Sequence, residues 1–258
     1  MAYLVIFIVL LIFGLTLLSC MWIEAHQNVV YRNEIQLDDL PDRLEGLRFF
    51  FISDVHRRVI SEEIIKEVAG KVEFVVIGGD LMEKRVPFRR VEENIDRLKK
   101  LGPVYFVWGN NDYEDDYRKL DTLLHEKGVV VLDNTATTLE KNGETLILIG
   151  VDDCGLERDR LDLALKDTPS EGYRILLSHN PMIKDQISPE MNISFVLSGH
   201  THGGQIRFLG WGPREKGGLK RFPGFSLLLS NGYGTTSIPL RLGAPAQTHL
   251  ITLRGKKG

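Results

Sequence analysis

Five short apolar runs, each followed closely by a side chain that can bind a metal ion, constrain the fold more than any other feature. Runs of this length are typical of buried strands, and helical periodicity appears between several of them. Ligands gather at the carboxyl ends of strands in α/β sheets, so we expect the five ends to converge. The chain is therefore predicted to form an α/β sandwich. The runs cover residues 47–52, 74–77, 104–108, 173–177 and 195–197, and the polar residues after them are Asp54, Asp80, Asn110, His179 and His200.

Helix and turn signals separate the runs. Ser61, followed by two glutamates, predicts a capped helix start, and residues 88–101 carry apolar residues at helical spacing before Gly102-Pro103 ends the pattern. The Asn142-Gly143 pair predicts a hairpin within residues 135–152. Further helices are expected over 115–127 and 158–166, and short strands in the glycine-rich tail over 225–229 and 247–253.

The N-terminal segment departs from this pattern. Residues 2–23 contain no charged side chain. About 22 residues form a helix of roughly 33 Å, enough to cross a ~30 Å hydrocarbon core. A cleaved secretory signal or a lipoprotein signal ending at Cys20 is the alternative, but both usually begin with a basic residue, which is absent here. We expect a transmembrane anchor over 1–23, a tether and first strand over 24–46, and a catalytic domain over 47–258.

The charges next to this anchor only weakly define its orientation. Arg32 and Glu34 follow the span, and only the α-amino group precedes it. We expect a single-pass membrane protein whose catalytic domain lies outside the cytoplasm.

Composition narrows the class of partner. A net charge of -3 argues against a nucleic-acid binder that works by neutralising phosphates. Only two cysteines are present, and Cys20 lies in the apolar run, so a disulfide with Cys154 is not expected.

The polar residues at the strand ends have the chemistry of a transition-metal site. Carboxylate and imidazole ligands together suit Mn, Fe or Zn, whereas Mg or Ca would prefer oxygen alone. Residues spaced i, i+2 at a strand end point the same way, so two ligands from one loop can share an ion. Each fragment is weak evidence alone, but five in order at five strand ends are specific. The candidate metal ligands are Asp54, His56, Asp80, Asn110, His179, His200 and His202.

The order Asp-x-His, Gly-Gly-Asp, Gly-Asn-x-Asp, His and Gly-His-x-His resembles the calcineurin-like metallophosphoesterase superfamily over about residues 47–254. Residues 197–206 resemble its membrane-anchored bacterial YkuE/YaeI-like branch. The resemblance implies a four-layer α/β/β/α sandwich and a hydrolase of phosphate esters, in which a hydroxide bridging two divalent metal ions attacks phosphorus in line. It also implies a ligand set: Asp54, His56 and His202 for the first ion, Asn110, His179 and His200 for the second, and Asp80 bridging.

The third motif departs from the family. The family usually has Gly-Asn-His-Asp or Gly-Asn-His-Glu, whereas this chain has Asn111 before Asp112. The missing histidine is normally credited with protonating the leaving group or contacting the phosphate, and an amide cannot supply a proton at neutral pH. We expect an enzyme biased towards phosphodiesters or activated leaving groups. The alternative is a membrane-tethered, metal-containing binding or scaffold domain with little turnover.

Other residues carry two interpretations. Arg57 and Arg58 are either a guanidinium clamp for phosphate or solvated loop charges. Residues 208–211, with Phe222 and Phe225, are either a lip that touches acyl chains or the bilayer, or residues packed under a long loop. Asp152-Asp153 is read as a turn or helix start rather than a third metal site. The resemblance implies a phosphate-ester substrate, and the anchor favours a lipid-linked one.

Overall fold

The computed structural model describes residues 1–256 and contains twelve strands and five α-helices in that range. The helices are α1 (Ala2–Ala25), α2 (Glu62–Val68), α3 (Phe88–Lys99), α4 (Tyr117–Glu126) and α5 (Leu161–Lys166). The strands are β1 (Val30–Leu37), β2 (Arg48–Ile52), β3 (Phe74–Ile77), β4 (Val104–Phe106), β5 (Val130–Val131), β6 (Thr135–Lys141), β7 (Glu144–Gly150), β8 (Tyr173–Leu177), β9 (Ile193–Ser198), β10 (Gly218–Phe222), β11 (Phe225–Leu229) and β12 (Thr248–Gly255).

The strands form two six-stranded mixed sheets. The first has the order β1-β12-β2-β3-β4-β5, and the second has the order β10-β11-β9-β8-β7-β6. Strands β2 to β5 are parallel to one another, as are β7, β8, β9 and β11. The carboxyl ends of each parallel group therefore lie along one edge of its sheet, where ligand sites of such sheets occur.

Three apolar cores define four layers. Between the sheets, side chains such as Phe51 and Val76 pack against Leu177 and Leu197. The outer face of the first sheet packs against α2, α3 and α4, and the outer face of the second packs against α5 and nearby turns. The α/β/β/α arrangement predicted from the resemblance is confirmed.

Several local predictions are also confirmed. Ser61 caps α2, because its hydroxyl oxygen accepts a hydrogen bond from the Glu63 amide. Asn142 and Gly143 form the turn between β6 and β7, and both have positive φ. The strand predicted over 104–108 is shorter, since β4 ends at Phe106. Strand β10 had no clear sequence signal, because only two of its five residues, Leu219 and Phe222, are apolar or aromatic.

Helix α1 is long and apolar enough to cross a membrane, with a mean hydropathy of 2.9 over its most apolar 18 residues. It has no amphipathic face, and almost all of its side chains are exposed. Within residues 1–256, α1 is buried only in its last turns, at Met21 and Ala25. A helix that is apolar on all sides is stable in hydrocarbon rather than in water.

Candidate metal centre

The strand ends bring four predicted ligands together in a first group at the carboxyl edge of β2 and β3. Asp54, His56, Asp80 and His202 are all buried, and each offers a ligand atom within 4.8 Å of those of the others. The Nε2 atoms of His56 and His202 lie 3.1 Å apart, and His202 Nε2 lies 3.3 Å from Asp54 Oδ1.

The remaining predicted ligands form a second group beside the first. His200 Nδ1 lies 2.9 Å from Asn110 Oδ1 and 3.3 Å from His179 Nε2. Asp80 Oδ2 is 3.2 Å from His179 Nε2 and 3.7 Å from His56 Nε2. The Asp80 carboxylate therefore lies against both groups, and all seven predicted ligands converge.

The backbone at these ligands is unusual. Asp54, His56, Asp80, His200 and His202 all have φ between 51° and 71°. This left-handed region is rare for residues other than glycine, and such outliers cluster at functional sites.

Glycines let the loops approach one another. At Gly79, which has positive φ, a Cβ atom would lie 2.7 Å from His179 Nδ1. At Gly232 it would lie 2.6 Å from the Cβ atom of Asp54. Any side chain at these positions would displace a predicted ligand.

Residues that the sequence analysis missed hold the imidazoles from behind. Glu83 is buried, and its Oε2 atom lies 3.1 Å from His56 Nδ1. His179 Nδ1 lies 2.8 Å from the Gly78 carbonyl oxygen, the position of a donated N–H. Such partners orient metal-binding histidines and set their tautomer. The signal for Glu83 was its position three residues after Asp80.

Arg241 is another residue that the sequence analysis missed. Its guanidinium is buried and donates hydrogen bonds to the carbonyl oxygens of His202, Ala244, Asn231, Gly232 and Gly234. It thus connects the loop of one predicted ligand to the loop before β12. Because it lies in an irregular part of the tail, periodicity does not reveal it.

Two imidazoles of the cluster have pKa values that are shifted in opposite directions. Burial opposes protonation of His179, but the adjacent Asp80 carboxylate raises the pKa of His179 to about 10. Burial and the charge of His179 lower the pKa of His200 to about 4. The protein thus places positive charge beside the carboxylates, as a bound cation would.

Asp112 of the third motif, Gly-Asn-x-Asp, holds the backbone of the loop that carries Asp80. Asp112 is buried and accepts hydrogen bonds from the backbone amides of Asp80, Met82 and Gly109. Burial and the nearby Asp80 charge raise the pKa of Asp112 to about 7. The structure thus places Asp112 beneath the Asp80 loop.

Asn111 lies at the edge of the centre. Its backbone amide donates to Asp80 Oδ1 at 2.8 Å, and its side-chain amide donates to Glu114 Oε1 at 2.7 Å. The side chain also accepts a hydrogen bond from Asn110 at 3.0 Å. Asn111 is therefore anchored beside the ligands and is partly exposed.

The two arginines after the first motif have different environments. Arg57 is mostly exposed and forms an ion pair with Glu83, the partner of His56. Arg58 donates to the carbonyl oxygens of Ala25, His26, Gln27 and Tyr233, and its guanidinium stacks 3.6 Å from the Tyr233 ring centroid. Both interpretations of Arg58, as a phosphate clamp and as a solvated charge, are wrong.

The two adjacent aspartates also differ. Asp152 accepts hydrogen bonds from Tyr113 and Arg158. Asp153 begins a short 3-10 turn by accepting from the Leu156 amide, as predicted for a helix start. However, its buried Oδ2 atom has no hydrogen-bond partner, and a carboxylate oxygen of Asp153 lies within 4.8 Å of the ring nitrogens of His179 and His200.

The donor set fits divalent metal ions. Carboxylates and imidazoles lie together in the cluster, and nitrogen atoms of neighbouring imidazoles face each other at 3.1 and 3.3 Å. A cation accepting their lone pairs satisfies these atoms together, and imidazole with carboxylate is the donor set of Mn, Fe and Zn.

Comparison with known proteins agrees with this chemistry. The sequence profile described as calcineurin-like phosphoesterase matches residues 47–204. The protein YpbG of Bacillus subtilis is 46% identical over 211 residues, which cover 81% of this chain and 82% of that relative. The metallophosphoesterase YkuE of the same organism is 24% identical over 254 residues, with coverage of 90% and 88%. The predicted superfamily is confirmed, and the YkuE-like branch is a weaker match.

A solved structure supports the fold alone. The phosphopantetheinyl hydrolase PptH of Mycobacterium tuberculosis superposes with a TM-score of 0.50 at 12% identity, covering 72% of this chain and 89% of that protein.

Proposed function

Since this chain belongs to the calcineurin-like phosphoesterase family and is a metal-dependent phosphoesterase, we propose that it is a dinuclear hydrolase of phosphate esters attached to a membrane. The observation that carries the proposal is the Asp80 carboxylate, which lies against imidazoles of both ligand groups. A carboxylate in this position suits a bridge between two ions.

The protein's own residues would hold the ions and orient the substrate. Asp54, His56 and His202 would hold the first, with Glu83 fixing His56 from behind. Asn110, His179 and His200 would hold the second. When bound, two such ions lower the pKa of water and neutralise charge on phosphoryl oxygens. Mn, Fe and Zn match these donors.

Arg57 and Arg214 are candidate contacts for substrate phosphate. Arg214 Nη1 lies 3.2 Å from His200 Nε2, and Arg57 lies beside Glu83 with most of its side chain exposed. A guanidinium near the ligands can pair with phosphoryl oxygens. Asp112 acts indirectly, because it holds the Asp80 loop through three backbone amides.

The test of the proposal is metal analysis combined with turnover. We expect two equivalents of Mn, Fe or Zn per chain and hydrolysis of bis(p-nitrophenyl) phosphate that chelators abolish and metal restores. Asp80→Asn should lose both metal and activity, while Asp162→Asn, an exposed carboxylate in α5, should retain both. A protein that binds metal but hydrolyses none of a broad panel of esters would instead be a scaffold domain, the alternative that Asn111 favours.

Asn111 narrows the expected substrates. An amide cannot protonate a departing alkoxide, and general acid catalysis is typically worth ~10²–10⁴-fold. We propose a bias towards phosphodiesters or activated leaving groups. Asn111→His should raise the rate on alkyl phosphate esters relative to aryl esters. An unchanged ratio of the alkyl to the aryl rate would show that position 111 does not affect protonation of the leaving group.

The location of the enzyme is part of the proposal. Helix α1 is apolar and exposed over most of its length, which supports a single-pass anchor and favours lipid-linked phosphate esters. We place the catalytic domain outside the cytoplasm; the charges beside the span, Arg32 and Glu34 after it and the α-amino group before it, specify this side only weakly. Protease digestion of a C-terminal tag on intact cells tests this orientation. A tag protected from the protease would place the catalytic domain in the cytoplasm instead.

A further inference from the structure

Exposed apolar side chains project from the loop that follows His202, and we call them the lip. We define the lip as Phe208, Leu209 and Trp211, whose relative exposures are 71%, 91% and 77%. Phe208 and Trp211 form backbone hydrogen bonds with each other. The Arg207 guanidinium donates to the carbonyl oxygens of Gly210, Gly203 and Arg214, so the turn is held in place. Of the two readings of this segment, packing under a loop is wrong for the lip.

The lip begins close to the end of the membrane helix. The Met21 carbonyl in α1 accepts a hydrogen bond from the Arg241 amide. The next residue, Leu242, pairs with the lip's own loop, since its amide donates to the Gln205 carbonyl and its carbonyl accepts from the Arg207 amide. Two adjacent backbone pairings therefore link the last turns of α1 to the base of the lip.

A cleft is lined by residues that flank the lip in the chain, Gln205, Ile206 and Pro213 among them, and by the predicted metal ligand His202. Its volume is about 250 Å³, and its lining includes His202, Ile206, Arg214 and Ile238. Ile206 and Ile238 are partly exposed apolar residues, and Arg214 reaches His200. The cleft lining thus combines apolar side chains with a predicted metal ligand and a guanidinium.

We propose that the lip inserts into the bilayer surface and that the cleft takes the apolar chain of an amphiphilic phosphoester, whose phosphate reaches the metal centre. This inference rests on the proposed function and names its substrate class. Exposed aromatic and leucine side chains beside a membrane-spanning helix partition into the interface, where burial of apolar area drives binding. A substrate in the same bilayer then has a short path to the ligands.

Fluorescence tests the lip without any turnover. The chain has three tryptophans, and Trp22→Phe leaves Trp211 and the buried Trp108. In vesicles containing brominated phosphatidylcholine, we expect quenching of this variant that disappears when Trp211→Phe is added. Equal, unquenched emission in both proteins would overturn insertion of the lip.

Kinetics test the substrate class with two probes that share a leaving group. They are p-nitrophenyl methyl phosphate in solution and p-nitrophenyl hexadecyl phosphate in phosphatidylcholine vesicles, both with the full chain reconstituted. Replacing all three lip residues by serine should lower kcat/KM for the hexadecyl ester about tenfold, the loss expected for a few buried apolar groups, and leave the methyl ester unchanged. Ile238→Trp, which fills the cleft, should also lower kcat/KM for the hexadecyl ester. Met182→Ser, an exposed apolar residue elsewhere, is the control.

The outcomes separate the two proposals. If neither ester is hydrolysed with metal present, the proposed function fails, and the quenching result alone decides whether the lip inserts. If the methyl ester is hydrolysed but the lip variant changes both rates equally or neither, the inference fails and the phosphoesterase remains.

Discussion

The conformations of single residues explain how the metal centre is assembled. Asp54, His56 and Asp80 adopt left-handed φ values, which cost roughly 1–2 kcal/mol each for residues with a Cβ atom. Hydrogen bonds between the two loops hold them there, because Val55 and His56 donate their amides to the Asp80 carbonyl at 2.8 and 3.2 Å. The convergence of these side chains was predictable from residue type and position. The left-handed backbone was not, since aspartate and histidine adopt it more often than most residues but still only rarely.

Asp153 extends the second ligand group beyond the seven predicted residues. Its buried Oδ2 atom has no hydrogen-bond partner and belongs to a group with His179 and His200. Asp153→Asn keeps the cap to Leu156 but removes the charge. We expect titration calorimetry with Mn²⁺ to show one of two binding steps weakened about tenfold or more. Asp162→Asn is the control, and superimposable isotherms for Asp153→Asn and wild type would contradict the assignment.

Glu83 provides the complementary test at the first ligand group. It faces His56 Nδ1, and loss of such a partner typically costs ~10–100-fold in metal affinity. Glu83→Gln should weaken the binding step that Asp153→Asn leaves unchanged. Calorimetry of both variants under the same conditions measures this, and weakening of the same step in both would argue against two separate groups.

At the level of elements, the buried parallel strands were the most predictable part. Strands β2, β3, β8 and β9 follow from continuous apolar runs, whereas the edge strand β10 is not buried and has no such pattern. Strand β12 is predicted by its apolar residues, but its pairing between β1 and β2 is not. That pairing joins the chain after α1 to the last strand, a long-range contact that local patterns do not encode.

The β1–β12 pairing contains a buried neutral histidine with a consequence for stability. His249 lies between Asn33 Oδ1 and the Ser230 hydroxyl, both at 3.0 Å, and burial lowers its pKa to about 3. Below pH 6.5 the unfolded chain binds a proton that the folded chain does not. Stability therefore falls from pH 6.5 towards pH 3, by about 1.4 kcal/mol per pH unit from this residue. Between pH 7 and 5, wild type should lose about 2 kcal/mol more than His249→Gln.

Urea unfolding of the full chain in detergent micelles, with EDTA in every sample, measures this difference. Equal pH dependence in the two proteins would show that another group binds the proton.

For the molecule as a whole, Arg58 joins the end of helix α1 to the loops around Tyr233. Its guanidinium donates to carbonyl oxygens of residues 25–27 on one side and to the Tyr233 carbonyl, at 2.6 Å, on the other. It also donates to Asn28 Oδ1 at 2.7 Å. From the sequence, residues 24–46 were expected to act partly as a tether. The contacts of Arg58 instead hold the start of this segment on the domain, and a lone arginine in a loop does not indicate that role.

Truncation separates the anchor from the segment that Arg58 holds. Removing residues 2–20 deletes most of the apolar helix and keeps every acceptor of Arg58, so we expect a domain that needs no detergent and unfolds within a few degrees of the full chain. Removing residues 2–29 leaves the guanidinium with the Tyr233 carbonyl but without its N-terminal acceptors. Arg58 is only partly buried, so the loss of these partners should cost less than the about 3–5 kcal/mol typical of a fully buried charge. Arg58→Met should therefore stabilise the shorter chain and destabilise the longer one. Thermal unfolding followed by circular dichroism measures all four proteins. The same effect of Arg58→Met in both lengths would show that the segment contributes nothing through this arginine.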